Sequence, residues 1–284
     1  MAKGGVKFLR GAVADYVGYF LGEDGRGCVD HGYYGAGQRW SVSAAGRLVE
    51  GEWTPEQYGM WLSGADPVTG EKRGRATFEG ELKAGVRGYE YSVNMPKSAS
   101  IVAALDPELG RILINAQERA ADAGLRVVLA RARTRLTQEG VTRLVPVESL
   151  EVAVFSHDGS REGDPHQHLH VQVGTKVFVE GAWSSLAGRS MTALLREWQV
   201  TVTAALATDA EWIRACSQRG LTVGMDGGIL EVSAPIEEVF STRHVAIVAK
   251  TAELIAAFRA ERGRRPSARE LVWIDQSAWD LTRP

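Results

Sequence analysis

The segment Pro165-His166-Gln167-His168-Leu169-His170-Val171-Gln172-Val173 constrains this chain more than any other, because it alternates with a period of two. A strand sends successive side chains to opposite faces. His168, His170 and Gln172 therefore share one face, and Leu169, Val171 and Val173 share the other. Two imidazoles on adjacent same-face positions can close on one ion. His157 ends the preceding strand pattern, Leu150-Glu151-Val152-Ala153-Val154-Phe155-Ser156, and an antiparallel turn through 158–165 brings it beside the pair. Of six histidines in the chain, four fall between positions 157 and 170. Three imidazoles with open positions imply metal-centred chemistry rather than structural support. The competing reading, an exposed polar face on which histidines tolerate solvent, suits any one of them better than all three. His166 has the parity of the pair but follows Asp164-Pro165 at the strand's start. A fourth ligand, a supporting donor and a surface residue all stay open for it.

Length and charge narrow the classes further. At 284 residues the chain suits one large domain or two small ones. A net charge of −2 gives no global attraction to nucleic acid or membrane, so any polyanion binding rests on local clusters. No apolar stretch reaches the roughly eighteen residues of a membrane span, and no signal peptide precedes the first strand pattern. Cys28 and Cys216 lie far apart without ligand spacing. The expectation is a reduced, cytoplasmic protein without a membrane segment.

Along the chain, a short strand over 6–10 leads to a helix over 12–21 that carries Asp15, Tyr16, Tyr19 and Phe20. The glycine-rich segment 22–51, with Tyr33, Tyr34, Arg39 and Trp40, reads as a long, mobile, functional loop. Thr54-Pro55-Glu56-Gln57 is a capping box that opens a helix to about Leu62. A second mobile loop over 65–85 holds the basic knot Lys72, Arg73 and Arg75. A strand over 89–93, helices over 98–105 and 107–139, and the two histidine strands follow. After them come a hairpin through Glu180-Gly181, a helix over 191–219, a hairpin over 221–232 and helices from Thr242 and Ala268, the last with a Ser267/Glu270 capping box. This order predicts an α+β fold, a central mostly antiparallel β-sheet flanked by helices.

Several separated motifs then converge on one family. Gly88-Tyr89-Glu90-Tyr91-Ser92-Val93-Asn94-Met95-Pro96-Lys97-Ser98, the Ser156-His157-Asp158 and His168-Leu169-His170 pair with its eleven-residue spacing, the Trp183 hairpin, and Phe240-Ser241-Thr242-Arg243 resemble the MobF-type conjugative relaxases of the HUH endonuclease superfamily. The resemblance covers nearly the whole chain. It differs at Glu90, where the family has Asp, at Met95 in place of Ala, at His166, and in its isolated Tyr16 and Tyr19 where the family begins with tyrosine pairs.

The resemblance implies site- and strand-specific nicking of single-stranded or hairpin DNA at a plasmid transfer origin, with possible accessory relaxosome proteins. A divalent ion on His157, His168 and His170 would neutralise the scissile phosphate; Mg or Mn is expected in use, with Zn, Ni, Co or Cu able to bind the imidazoles. Tyr16 would attack to form a 5′-phosphotyrosine adduct that can be reversed to rejoin strands. Tyr19, one helical turn away, would substitute or serve a second transfer. Glu90 would orient a ligand histidine or accept the tyrosine proton. Lys97, Lys72, Arg73 and Arg75, with Trp40, Tyr33 and Tyr34, would meet phosphates and bases. The chain lacks a Gly-x-x-x-x-Gly-Lys-Ser/Thr phosphate loop, so the expectation for 1–284 is a relaxase unit without a helicase, excised or naturally short. A phosphoesterase using activated water and a rolling-circle replication initiator are the competing readings.

Overall fold

The computed structural model describes residues 6–21, 37–74, 85–160 and 162–282. In chain order the elements are β1 (Lys7–Leu9), α1 (Val13–Leu21), β2 (Gln38–Ser43), β3 (Gly46–Glu52), α2 (Pro55–Leu62), β4 (Gly88–Asn94), α3 (Lys97–Leu105) and α4 (Pro107–Arg131). They continue with β5 (Arg133–Gln138), β6 (Val141–Pro146), β7 (Ser149–Gly159), β8 (Pro165–Gly174), β9 (Lys176–Val179) and β10 (Ala182–Ser185). The remaining helices are α5 (Gly188–Ala193), α6 (Leu195–Ala207), α7 (Ala210–Ser217), α8 (Ala234–Val239), α9 (Thr242–Arg262) and α10 (Ala268–Leu281). A six-stranded sheet runs β1-β4-β8-β7-β2-β3, and every neighbouring pair in it is antiparallel. Two-stranded ribbons, β5-β6 and β9-β10, lie outside it.

The sheet's period-two patterns sort its side chains into two faces. Tyr89, Tyr91 and Val93 stand opposite Val173, Val171 and Leu169, while Val152 and Val154 pair with Val173 and Val171. With Trp40 and Val42 from β2, they form the main core. That core packs on α4, whose buried residues Leu109, Ile112, Leu113, Ala116, Gln117, Ala120, Ala121, Gly124, Leu125 and Val128 follow one helical stripe. Asp106 caps this helix by accepting the amides of Glu108 and Leu109, at 2.9 and 3.1 Å. Gly124 is required by close approach: a Cβ there would lie 2.6 Å from the Trp198 ring of α6.

The opposite face holds a smaller cluster. Leu9, Ala153 and Phe155 meet Phe20 and Leu21 of α1, Trp53, and Tyr58, Trp61 and Leu62 of α2. This cluster covers only part of that face; the histidines occupy its continuation.

Five expectations are corrected. Residues 38–52 are the β2-β3 hairpin rather than loop, and 65–74 form a compact turn closed by an Ala65–Lys72 bridge and the buried Arg73. The other parts of those predicted loops, 22–36 and 75–84, lie outside the described residues. The long helix ends at Arg131, because Thr134 and Leu136 turn inward from β5 and Ala187 donates its amide to the Arg133 carbonyl. Glu139 and Gly140, both at positive φ, close the β5-β6 turn. The predicted helix 191–219 is three shorter ones, with Asp209 capping α7 through the Trp212 amide at 2.9 Å. Residues 221–232 form only one isolated bridge, Val223–Ile229, instead of a hairpin.

Candidate metal centre and tyrosine helix

The β7-β8 register places His157 directly opposite His168, with Phe155 opposite His170. The ring centroids of His157 lie 4.6 Å from those of both His168 and His170, and those two are 5.0 Å apart. One nitrogen from each ring lies within 4.8 Å of the others. Among the described residues this is the group whose geometry suits a metal.

The donor set fits a divalent ion on two further grounds. Burial, reinforced by the neighbouring imidazoles, lowers the pKa of His157 and of His168 well below the ordinary histidine value, so both rings present neutral lone pairs. One ring nitrogen of His168 and one of His170 also face oxygen atoms away from the other imidazoles. His168 Nδ1 lies 2.8 Å from the His166 carbonyl, and His170 Nδ1 lies 3.2 Å from Glu90 Oε1. With Nδ1 so occupied, Nε2 is the nitrogen each of these rings would offer to an ion.

Glu90 stands at the head of a buried polar chain. Its Oε2 accepts Gln172 Nε2 at 2.9 Å, and Gln172 Oε1 accepts the Tyr58 hydroxyl at 2.5 Å. Burial alone would raise the Glu90 carboxyl, but His170, Lys7 and Gln172 hold its pKa below the ordinary value. Lys7 Nζ is 3.8 Å away. The carboxylate stays charged and faces the imidazole, which makes it a group that positions His170. Burial, with the Glu90 charge and the Tyr16 phenol adding to it, raises the Tyr58 pKa well above that of a free phenol. Tyr58 is thereby a structural donor and unsuited to attack. Sequence reasoning missed the roles of Gln172 and Tyr58. The parity of Gln172 with His168 and His170 was a usable signal; Tyr58 offered none.

Helix α1 docks on this cluster through Phe20, whose ring stacks on Phe155 at 4.6 Å and meets the His170 ring edge-on at 5.3 Å. Tyr16 lies four residues earlier on the same helical face and is half-buried. Its hydroxyl donates to the Arg10 carbonyl at 2.6 Å and accepts the Arg10 amide at 2.8 Å. Tyr19 packs edge-on against Phe20 at 4.9 Å. His166 stacks on His168 at 4.5 Å, outside the three-ring group, and burial brings its pKa down to about 4.

The predicted DNA contacts divide. Trp40 is fully buried in the main core, with its indole nitrogen on Gln38, and is no stacking platform. Arg73 is also buried, paired with Asp66 and Glu151 beneath the Trp183 ring, so its charge is spent inside the fold. Lys72 is exposed. Lys97 Nζ donates to the Pro165 carbonyl at 2.7 Å, which places it at the start of the histidine strand. Arg75, Tyr33 and Tyr34 lie outside the described residues.

Fold and site together define a class: an α+β domain that displays a three-histidine metal group on one face of an antiparallel sheet, beneath a helix bearing tyrosines. The TrwC relaxase family model matches residues 9–284, and the chain belongs to that family. A segment of 100 residues is 37% identical to the multifunctional conjugation protein TraI of Escherichia coli, covering 35% of this chain and 6% of that protein. The TraI of strain K12 is 35% identical over the same length. The chain thus matches only a small part of these relatives. The fold resembles conjugative relaxase TrwC in its metal-bound complex with oriT DNA, with TM-score 0.69 and 24% identity over 98% of this chain and 91% of that one. It also resembles TrwC bound to a 27-mer with the recognition hairpin and cleavage site, at TM-score 0.67 and 22% identity over 98% and 90%.

Proposed function

We propose that this chain nicks one DNA strand at a plasmid transfer origin by tyrosine transesterification and rejoins it by the reverse step. The observation that carries this reading is the docking of the tyrosine helix on the histidine group through Phe20. Family membership and the oriT DNA in the TrwC structures support it. His157, His168 and His170 would hold a divalent ion, which when bound neutralises a non-bridging oxygen of the scissile phosphate.

Tyr16 then attacks phosphorus. A bond forms from its phenolic oxygen, the bond to the 3′ oxygen breaks, and the leaving 3′ hydroxyl takes up a proton as the phenol loses its own. The number of phosphoester bonds is conserved, so ligation needs no nucleotide cofactor. The Tyr16 hydroxyl donates a hydrogen bond to the Arg10 carbonyl in this arrangement, and attack requires that hydrogen bond to open. Glu90 fixes His170 and does not take the phenolic proton, because its carboxylate is already committed to His170 and Gln172. Tyr19 serves a second transfer or replaces Tyr16. Lys97 and Lys72 are the described lysines assigned to phosphate contacts. Hairpin DNA, accessory relaxosome proteins and a cytoplasmic setting complete the proposal; among the described residues no helix is long and apolar enough to cross a membrane.

The test is incubation with single-stranded oligonucleotides from the transfer region and divalent metal, followed by a denaturing gel. A metal-dependent protein–DNA adduct, lost in Tyr16→Phe with metal and DNA binding retained, is the expected result. Cleavage that persists in the double variant Tyr16→Phe/Tyr19→Phe would instead assign a water-using phosphoesterase.

A further inference from the structure

Strand alternation sorts the side chains of β1 by face. Phe8 packs edge-on against Tyr89 at 5.7 Å on the main-core side, and the Arg10 guanidinium lies over the Phe8 ring, 5.4 Å from its centroid. Lys7 and Leu9 take the other face, where Leu9 joins the aromatic cluster under α1. The β1-β4 register sets Lys7 directly opposite Glu90. Its exposed ammonium lies 3.8 Å from Glu90 Oε1 and 5.9 Å from the centre of the Tyr16 ring. The same carboxylate oxygen is 3.2 Å from His170 Nδ1. A continuous run, His170–Glu90–Lys7–Tyr16, therefore joins the imidazole group to the tyrosine.

Attack makes a demand on this corner. Once the phenol loses its proton, its oxygen no longer donates to the Arg10 carbonyl, and two acceptors repel each other. The Arg10 amide, 2.8 Å away, still donates to it. A neighbouring cation adds the charge compensation that one neutral amide lacks. The charged and titratable groups around the phenol are Lys7 and Arg10, Asp15 on its own helix, Glu90 behind Lys7, and Tyr58 from α2. The Arg10 guanidinium is held on Phe8, and Tyr58 donates to Gln172. Lys7 is the cation that meets the Tyr16 ring.

We propose that Lys7 stabilises the negative charge that develops on the Tyr16 oxygen during attack, with Glu90 holding its ammonium in place. The assignment rests on the strand-nicking reading. No bond to Lys7 forms or breaks. The phenolic oxygen is the leaving group when the strand is rejoined, so the same contact serves the reverse step.

The test is single-turnover adduct formation by the full chain on a transfer-region oligonucleotide, with DNA and divalent metal saturating. Rates are measured across pH for the wild type, Lys7→Gln and Lys7→Arg. At neutral pH Lys7→Gln should slow the adduct about tenfold, and the rise of rate with pH should move about one unit higher. Lys7→Arg keeps the charge and should restore most of the rate. Added salt should narrow the gap between wild type and Lys7→Gln, because an exposed cation is screened.

An unchanged rate and pH profile in Lys7→Gln would overturn the proposal. So would a deficit that Lys7→Arg fails to reduce, which marks a role of shape rather than charge. A deficit present only below saturating metal or DNA would also overturn it, by assigning Lys7 to support of His170 through Glu90 or to a phosphate contact. If the wild type forms no adduct, the nicking reading fails and this assignment fails with it. An adduct whose rate ignores Lys7 sinks this assignment alone.

Discussion

Glu90 shows how one residue sets the chemistry of another. It touches His170 Nδ1 at 3.2 Å and is fixed from behind by Gln172 and, through it, Tyr58. Glu90→Gln removes the charge that secures the His170 tautomer, and affinity for a divalent ion should fall about 10- to 100-fold with the fold intact. Titration calorimetry with Mn or Zn would measure it; unchanged affinity would mean that the carboxylate is mere burial. Tyr58→Phe should give a weaker loss of the same kind, because it leaves Gln172 Oε1 without its donor. Arg73 makes the opposite case. Its position in a basic knot suggested a DNA contact, but it pairs with Asp66 and Glu151 inside the fold. Arg73→Ala should destabilise the protein by about 2–3 kcal/mol by leaving two carboxylates uncompensated. A change in DNA salt dependence without loss of thermal stability would contradict that placement.

Elements were legible from sequence wherever the local signal and the tertiary fold agreed. The β7-β8 pair followed from period-two alternation and histidine spacing, and both capping boxes form as Thr54/Gln57 and Ser267/Glu270 predict. The three-histidine grouping was readable because strand geometry alone brings His168, His170 and an antiparallel His157 together. Other elements were hidden by context. The alternation of Trp40 and Val42 in β2 sits among glycines and polar residues that read as loop. Arg133, Arg135, Leu136 and Gln138 suit a helix, yet pairing with β6 and hydrogen bonds to residues 184–187 overrode that preference. Spatial partners such as Tyr58 and Gln172, 114 residues apart, leave no local trace. The α4-α6 contact offers a test at this scale. Gly124→Ala gains about 1 kcal/mol of helix propensity, but its Cβ would meet the Trp198 ring at 2.6 Å. Overpacking of about 1–3 kcal/mol should prevail, and chemical denaturation should show net destabilisation.

The whole molecule is a scaffold whose two sheet faces do different work. One is a continuous apolar core against α4; the other is split between an aromatic cluster and a partly buried group of imidazoles. That division predicts a pH response. His157 and His168 have pKa values lowered in the fold, so their stabilising contribution is fully present above the unfolded value of about 6.5. It is lost as pH falls below that value, because the unfolded chain takes up protons that the folded one refuses. The metal-free protein should lose thermal stability from pH 7.5 to 5.5, and His157→Gln should flatten the slope. Divalent ion at a hundredfold excess over its dissociation constant should add about 2.7 kcal/mol at neutral pH, removable by chelator.

The central claim, attack by the α1 tyrosine on a phosphate held at the histidine group, is tested most directly by peptide mass spectrometry of the trapped adduct. The expected result is a nucleotide on the peptide containing Tyr16, formed only with divalent metal and absent when His168 and His170 are replaced by Ala. An adduct on Tyr19 would move the nucleophile by one helical turn within the same mechanism. Metal-dependent strand cleavage with no modified tyrosine on any peptide would contradict the account.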